Sequence, residues 1–549
     1  MDSLLKKPIV PILVFLALAW YIFFFRLDGM GLTDPDETFY AQTAKEMLSK
    51  GEWLTPHIFG KPQFEKPILF YWLIEISFKI FGVNETAARI PSAVCGMIGI
   101  AVVYLLGKLV FNRRTALIAA VILATSVEYV ILSRACVTDM TLATLMLLGA
   151  LFFFYGHMRG GKLHYLLSAA FFALAVMTKG PIAVLLPGLI FILYFVLTGA
   201  WKNIRSVPIF WMAIVFVCIA APWYVVMYKV HGAAFMDAFF GFQNVTRFMK
   251  AEHEIGSQIY YNIPILLAGF FPWSVFLPFG IWHAFKKAAN DKNRGAIFSL
   301  IWFFAIFLFF TASSTKLPTY IFPCFFAAAL LTAAFWDAFL EKNCPRTVGK
   351  AMTVSFYTLI AIVIPGAVGT HIYLSGHFPS LVKGVTISAA ILTFGMILSL
   401  AAFVSGKRAW AFVMIAYSML LFIYPTSGLI LPEIDRFETS RPAAKELAGR
   451  MAPADKIGSA SRYMEGLAFY AGKFPRDLDK YDDMIRFLNG KDRVWCVLKA
   501  KNRTQAYVAD DLPQCSRDTY LVYRMGKRAI VTNMLPRDGE YIVKKDGIK

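Results

Sequence analysis

The chain is a succession of long apolar segments, and short clusters of Lys and Arg separate them. Many of these segments approach the roughly 20 residues that a helix needs to cross the hydrocarbon core of a bilayer. Hydrophobic residues make up 58% of the chain and charged residues 16%, whereas about a quarter of the residues in soluble globular proteins are charged. The sequence therefore predicts a polytopic membrane protein.

The basic clusters predict which segment ends face the cytoplasm, because short cytoplasmic loops carry an excess of Lys and Arg. The clusters are Arg113-Arg114, Arg159 with Lys162, Lys202 with Arg205, Lys286 to Arg294, Lys342 to Lys350, and Lys407-Arg408. If all of them lie inside with Lys6 and Lys7, the chain crosses the membrane about thirteen times. The predicted spans are 8–27, 87–110, 115–133, 140–157, 163–178, 181–199, 207–228, 258–285, 295–313, 318–340, 350–373, 381–404 and 409–431.

The net charge of +20 is explained by the same loops and does not indicate a nucleic-acid partner. Lys6 and Lys7 precede an apolar stretch that reaches Phe25, and no small-residue cleavage motif follows it. This pattern favours an uncleaved first span over a removed signal peptide.

The predicted fold is an all-α membrane region over 1–432, followed by a small outer α/β domain over 433–549. Between the spans, the loops 28–86 and 229–257 are expected to lie on the outer side of the membrane. Two helices are expected to lie in the membrane interface within the first of these loops. One begins near Asp34-Pro35, because Asp is a good N-cap and Pro suits the first helical turn.

The second predicted interfacial helix covers 67–82, which is short and aromatic and carries Glu75 and Lys79 at i,i+4 spacing. In the outer domain, 441–451 is predicted to be a helix, and 493–499 and 520–523 are predicted to be strands.

Two cysteines, Cys496 and Cys515, lie in this outer domain. An oxidising compartment permits a disulfide there, but the sequence leaves their pairing open.

Most polar motifs between the spans are predicted to lie on the outer side. They are Thr33 to Glu37, Phe64 to Pro67, Thr138-Asp139, Thr178 to Gly180, Glu252 to Glu254 and Lys316 to Tyr320. Asp139 ends a span, where an ionisable group is costly unless it is paired or functional. With Asp36 and Glu37 it could flank a sugar carbon that develops positive charge, as glycosyl transfer requires. The alternative for Asp36 and Glu37 is a favourable interaction of acidic groups with a helix N-terminus.

Three cations, Lys66, Lys179 and Lys316, are predicted to reach the same face, and each lies beside a Pro or Gly or close to one. Fixed positive charge stabilises a leaving phosphate, and Tyr320 could donate a hydrogen bond to it. The alternative for each Lys is an extended side chain that reaches the lipid headgroups.

A divalent metal such as zinc has two candidate ligands, Glu65 and His253. Two ligands at an unknown separation form a weak zinc pattern, and the alternative is a solvated His253.

Several motifs together resemble a known family. They are Pro35 to Tyr40, Glu46 to Leu48, Gly51 to Trp53, Pro56-His57, Phe64 to Pro67, Met177 to Gly180, Pro222-Trp223, Arg247-Phe248, Pro272-Trp273 and Lys316 to Tyr320. In this order they are similar to lipid A aminoarabinose transferases of the ArnT type. Those proteins are membrane glycosyltransferases of the GT-C class and are related to protein O-mannosyltransferases.

The resemblance implies transfer of 4-amino-4-deoxy-L-arabinose from undecaprenyl phosphate to a lipid A phosphate, with inversion, on the periplasmic face of the bacterial inner membrane. It implies that Asp36 is the principal catalytic carboxylate and that Asp139 is the second acidic position. The carrier phosphate would contact Lys66, Lys179, Lys316, Tyr320 and Arg247, and Glu65 with His253 would hold the metal. The protein is expected to act as a monomer.

Two departures from the family pattern leave an alternative substrate open. Phe39 and Gln243-Asn244 stand where an Arg and Glu-His are expected. The chain could therefore move another polyprenyl-linked sugar, such as a hexose or uronic acid, to lipopolysaccharide, another glycan or a protein. A lipid or sugar transporter is a further alternative, but transporters place ionisable residues near the midplane between repeated halves.

Overall fold

The computed structural model describes residues 9–239, 241, 258–499, 515–526 and 528–545. Arg247 and His253 lie outside the described residues, as do Gln243 and Asn244. The described chain forms a helical membrane region followed by an α/β domain, which confirms the predicted fold class.

Helices α1 to α9 form the first part of the membrane region and the loop within it. Their bounds are α1 Ile9–Phe23, α2 Asp36–Lys50, α3 Leu69–Phe81, α4 Glu85–Val110, α5 Arg113–Ala124, α6 Val127–Ser133, α7 Thr138–Arg159, α8 Lys162–Lys179 and α9 Ile182–Leu197. The 3₁₀ helix Trp201–Ser206 then leads to the second part.

Helices α10 to α18 form the second part. Their bounds are α10 Ile209–Met236, α11 Asn262–Gly269, α12 Leu277–Asp291, α13 Arg294–Ala312, α14 Phe325–Leu340, α15 Arg346–His377, α16 Pro379–Val404, α17 Arg408–Pro425 and α18 Leu431–Glu438. The 3₁₀ helix Pro318–Cys324 precedes α14 and forms one apolar stretch with it.

Within the described ranges, eight helical stretches are long and apolar enough to cross a membrane, and a ninth is the bent pair of α5 and α6. Each of the thirteen predicted spans coincides with at least one helix. Because only eight or nine of the described stretches are long and apolar enough to cross a membrane, thirteen crossings stay a prediction. Two predicted spans, 115–133 and 258–285, are interrupted.

The first interruption bends the chain by 67° between α5 and α6. Thr125 and Ser126 lie at the bend, and their hydroxyls donate to the carbonyls of Val121 and Ile122 at 2.6 and 2.7 Å. Such bonds compete with helical hydrogen bonding. The second interruption contains Pro272, which lacks the N–H that a continuous helix needs.

The two interruptions meet inside the bundle. The indole Nε1 of Trp273 donates to Thr125 Oγ1 at 2.9 Å, and the Val127 amide donates to the Phe271 carbonyl at 3.3 Å. These bonds satisfy polar groups that would otherwise be unpaired in an apolar region.

The first loop contains the two expected helices, α2 and α3, with the short hairpin β1 His57–Ile58 and β2 Lys61–Pro62 between them. In α3, Lys79 Nζ lies 3.9 Å from Glu75 Oε1, as the i,i+4 spacing predicts. We call the side of the membrane region that carries this loop the loop face.

The C-terminal domain is built from three α-helices and six strands within the described residues. They are α19 Arg441–Arg450, β3 Lys456–Ser459, α20 Met464–Ala471, β4 Arg476–Asp477, α21 Tyr481–Leu488, β5 Val494–Lys499, β6 Thr519–Met525, β7 Arg528–Thr532 and β8 Val543–Lys545. The strands form one sheet in the order β4-β3-β5-β7-β6-β8. Strand β3 pairs in parallel with β4 and β5, and the other pairs are antiparallel. The predicted helix and both predicted strands are present, and Cys496 and Cys515 are buried free thiols.

This domain packs directly on the first loop. The carboxylate of Asp34 accepts hydrogen bonds from Arg528 Nη2 at 2.8 Å and from Ser440 Oγ at 2.6 Å. The Leu32 amide donates to the Tyr470 hydroxyl at 2.7 Å. Because the Asp34–Arg528 pair is fully buried, the start of α2 is fixed between the membrane helices and the C-terminal domain.

Candidate active site

A cleft on the loop face brings together five of the residues that the sequence singles out. They are Glu65, Lys66, Asp139, Lys179 and Tyr320. These residues come from the first loop, the start of α7, the end of α8 and the 3₁₀ helix before α14. Four of the six polar motifs that were predicted to share one face therefore contribute residues to this cleft, whereas Thr33 to Glu37 does not line it and Glu252 to Glu254 lies outside the described residues.

An ion pair forms the polar floor of the cleft. Lys179 Nζ donates to Asp139 Oδ1 at 2.6 Å and lies 5.2 Å from the centre of the Tyr320 ring. Asp139 lies in the first turn of α7, where a negative charge is favourable, and it is 8% exposed. The pair holds the ammonium group of Lys179 in the cleft.

One wall of the cleft is apolar and continues into the membrane region. Leu142 and Met146 lie one and two turns into α7, and Leu186 lies one turn into α9. Phe309 and Phe310 belong to the last turn of α13. The cleft therefore joins a charged end at the loop face to an apolar end among membrane helices.

Asp36 begins α2, and its side chain is exposed. Partial removal of its carboxyl from water raises the pKa of Asp36, and the negative charges of Asp139 and Glu37 raise it further. Arg462 opposes the shift. Asp36 lies outside the set of residues that line the cleft, but its carboxyl interacts electrostatically with that of Asp139, which lines it.

Tyr40 lies one turn after Asp36 and is buried. Burial raises the pKa of its hydroxyl, and the carboxylates of Asp139, Glu65 and Asp36 add to the shift. The Tyr40 hydroxyl therefore stays protonated within electrostatic reach of all three acidic side chains.

Glu37 occupies a different environment from its neighbour Asp36. Its two oxygens accept from Arg89 Nε at 2.8 Å and from Arg89 Nη2 at 2.7 Å, and the Cys136 amide donates to it at 2.7 Å. Burial alone would raise the pKa of Glu37, but Arg89 and these hydrogen bonds hold it below its usual value. This buried ion pair favours a structural role for Glu37 over contact with a substrate.

The segment that carries Glu65 and Lys66 is fixed by neighbouring side chains. The amide of Glu65 donates to Gln63 Oε1 at 2.9 Å, and Gln63 Nε2 donates to the Tyr71 hydroxyl at 2.8 Å. Lys66 Nζ lies 3.3 Å from the Glu65 carbonyl oxygen. Both charged side chains therefore face the cleft from an ordered turn.

Lys316 is 5% exposed and lies outside the set of residues that line the cleft, whereas Thr319 and Tyr320 line it. For the metal, Glu65 is the one predicted ligand that lies within the described ranges. Those ranges contain no cluster of three or more His, Cys, Asp or Glu with metal-binding geometry. The metal site stays a prediction.

The C-terminal domain contributes two residues that the sequence does not single out. The charge of Arg462 lowers the pKa of Asp36. Burial raises the pKa of Glu465 to about 7, and the negative charges of Asp34 and Glu65 contribute to the increase. No sequence signal links this segment to Asp36, because more than 400 residues separate them.

The chain is similar to several known proteins. Residues 65–226 match the family model of dolichyl-phosphate-mannose-protein mannosyltransferases. The chain is 30% identical to an undecaprenyl phosphate-alpha-4-amino-4-deoxy-L-arabinose arabinosyl transferase of Pectobacterium carotovorum, over 76% of this chain and 75% of that protein. It is 26% identical to an uncharacterized protein of Aquifex aeolicus, over 85% and 86% of the two chains.

The fold is similar to a crystal structure of ArnT from Cupriavidus metallidurans bound to undecaprenyl phosphate. The TM-score is 0.80 at 21% sequence identity, and the match covers 96% of this chain and 99% of that chain.

Proposed function

Because the chain belongs to the family of undecaprenyl phosphate-aminoarabinose arabinosyl transferases, we propose that it transfers 4-amino-4-deoxy-L-arabinose from undecaprenyl phosphate to a phosphate of lipid A. The observation that carries this proposal is a cleft in which Asp139, Lys66 and Lys179 adjoin an apolar wall. Such a cleft suits a donor with an anionic head and a polyprenyl tail. We further propose that this multi-pass inner-membrane protein turns its loop face and C-terminal domain to the periplasm.

In this proposal the carrier phosphate lies against the ammonium groups of Lys66 and Lys179, beside Tyr320. The first isoprene units follow Leu142 and Met146 into the membrane region. Charge-assisted hydrogen bonds to phosphate are strong where water is partly excluded.

The reaction is an inverting displacement at the anomeric carbon. An oxygen of the acceptor phosphate forms the new bond to that carbon, and the bond to the carrier phosphate breaks with its electron pair on the leaving oxygen. Lys66 and Lys179 stabilise the negative charge that grows on the carrier phosphate. Because a phosphate acceptor is already an anion, Asp36 orients the sugar and stabilises positive charge on the ring more than it removes a proton.

The Glu37–Arg89 pair positions Asp36 in this scheme. Arg89 also donates to the carbonyls of Leu27, Met30 and Gly31 at 2.6 to 2.8 Å. These bonds hold the turn before α2 and therefore the place of the Asp36 carboxylate.

The test uses purified protein in lipid bilayers with lipid A and one of two donors. The donors are undecaprenyl phosphate-aminoarabinose and an undecaprenyl phosphate-hexose, and mass spectrometry follows the lipid A. A gain of one aminoarabinose with the first donor and none with the second supports the proposal. A gain only with the hexose donor, or no transfer by well-folded protein, rejects the proposed sugar.

A further inference from the structure

The proposed reaction creates an electrostatic problem at Asp36. The acceptor phosphate must approach the sugar carbon beside this carboxylate, and Asp139 adds a second negative charge. Two like charges about 4 Å apart repel by a few kcal/mol at the surface of a protein. The donor-side cation Lys179 is already bonded to Asp139 at 2.6 Å. An acceptor phosphate therefore needs a further cation next to Asp36.

Docking of the C-terminal domain supplies such a cation. Asp34, two residues before Asp36, accepts a hydrogen bond from Arg528 at 2.8 Å. The guanidinium of Arg528 in turn lies 4.6 Å from the centre of the Tyr463 ring. This chain of contacts brings Arg462, the neighbour of Tyr463, to the start of α2.

A glycine allows this approach. At Gly466 in α20, an added Cβ would lie 2.0 Å from Asp34 Oδ1 and 2.8 Å from the Cβ of Ser440. The backbone of α20 therefore lies directly against the carboxylate of Asp34. With Lys45 Nζ donating to the Phe469 carbonyl at 2.7 Å, the segment from Arg462 to Phe469 is fixed to α2 at both ends.

The side chain of Arg462 is exposed, and it makes no hydrogen bond or ion pair with any other residue that the structure describes. Its positive charge nevertheless lowers the pKa of Asp36 and so opposes the increase that Asp139 and Glu37 cause. A guanidinium presents paired donors that match two phosphate oxygens. Arg462 therefore has unused donors at the place where an anionic acceptor would approach.

We propose that Arg462 binds the phosphate of the acceptor beside Asp36, so that the C-terminal domain forms one side of the acceptor site. This inference rests on the proposed function, because it requires an acceptor that presents a phosphate. The ligand class is a phosphorylated glycolipid.

The experiment compares Arg462→Gln and Arg462→Lys with wild type in the transfer assay. The matched control is Arg486→Gln, because Arg486 lies in the same domain with its side chain 74% exposed. For Arg462→Gln, KM for lipid A should rise about 10- to 100-fold, the range expected for loss of a hydrogen bond to a charged group. The dissociation constant of undecaprenyl phosphate should stay within about twofold of wild type.

Two further readouts separate this role from a structural one. Arg462→Lys should recover part of the acceptor affinity, because Lys keeps the charge but loses the paired donors. Arg462→Gln should also move the acid limb of the pH–rate profile upward, because the cation that lowers the pKa of Asp36 is gone. Arg486→Gln should leave KM and the pH profile unchanged.

An unchanged KM for lipid A in folded Arg462→Gln would overturn the inference while leaving the proposed function intact. An equal loss of donor binding would overturn it as well.

If wild type transfers no sugar, the proposed function fails. Direct binding of lipid A and of dephosphorylated lipid A then decides the role of Arg462. Tighter binding of the phosphorylated form that disappears in Arg462→Gln supports it, and equal binding of both forms rejects it. If Arg462→Gln does not fold, the same measurements on Arg462→Lys decide.

Discussion

Replacement of Arg89 by Met should destabilise the protein severely. Met approximates the apolar stem of the Arg side chain but lacks its charge and all of its donors. The carboxylate of Glu37, which is 3% exposed, would then remain buried without its cation. The carbonyls of Leu27, Met30 and Gly31 would lose their donors as well. Removal of one member of a buried ion pair costs about 3–5 kcal/mol.

Chemical denaturation of purified protein, followed by tryptophan fluorescence, measures this loss. The control Arg486→Gln should stay within about 0.5 kcal/mol of wild type, because that side chain is exposed and paired within one helix turn. The double variant Glu37→Gln/Arg89→Met should lose less than the sum of the single variants, because no uncompensated charge remains.

The pH dependence of stability gives a second test of the Glu37–Arg89 pair. Since the pKa of Glu37 is lowered in the folded protein, the pair makes its full contribution to the free energy of unfolding above the ordinary pKa of Glu. It is lost as the pH falls through the lowered value. The reasoning is refuted if Arg89→Met and Arg486→Gln unfold at the same denaturant concentration.

Three further outcomes are expected. Lys179→Met should weaken undecaprenyl phosphate binding about 10- to 100-fold in a direct binding assay, and unchanged affinity would remove Lys179 from the donor site. In Asp139→Asn, the acid limb of the pH–rate profile should move to lower pH, because Asp139 raises the pKa of Asp36; a limb that stays in place would contradict the coupling. Gly466→Ala should lower the free energy of unfolding by about 1–3 kcal/mol, because its Cβ would overlap the fixed carboxylate of Asp34. Wild-type stability of Gly466→Ala would argue against close packing of α20 on Asp34.

The helices, and the grouping of polar motifs at one face, were predictable because hydropathy and loop charge are local properties of the sequence. The first-loop helices and the convergence of Lys66, Asp139 and Lys179 follow from those two patterns. The bend after Ala124 depends on side-chain hydroxyl bonds that hydropathy does not report.

Long-range pairing limited the prediction of the site. Glu37 and Asp36 have the same side-chain chemistry and adjacent positions, yet Arg89 lies 52 residues further along and takes Glu37 into a buried pair. Arg462 is one of many basic residues in the tail, and only docking of the C-terminal domain brings it near Asp36. Such choices depend on tertiary contacts that no local pattern encodes.

Single-turnover sugar transfer by Asp36→Asn tests the central claim most directly. Enzyme preloaded with undecaprenyl phosphate-aminoarabinose is mixed with lipid A, and the modified lipid A is counted by mass spectrometry over time. The account predicts a rate at least about 100-fold below wild type, with an unchanged dissociation constant for undecaprenyl phosphate. Transfer at the wild-type rate by Asp36→Asn would contradict the assignment of Asp36 as the catalytic carboxylate.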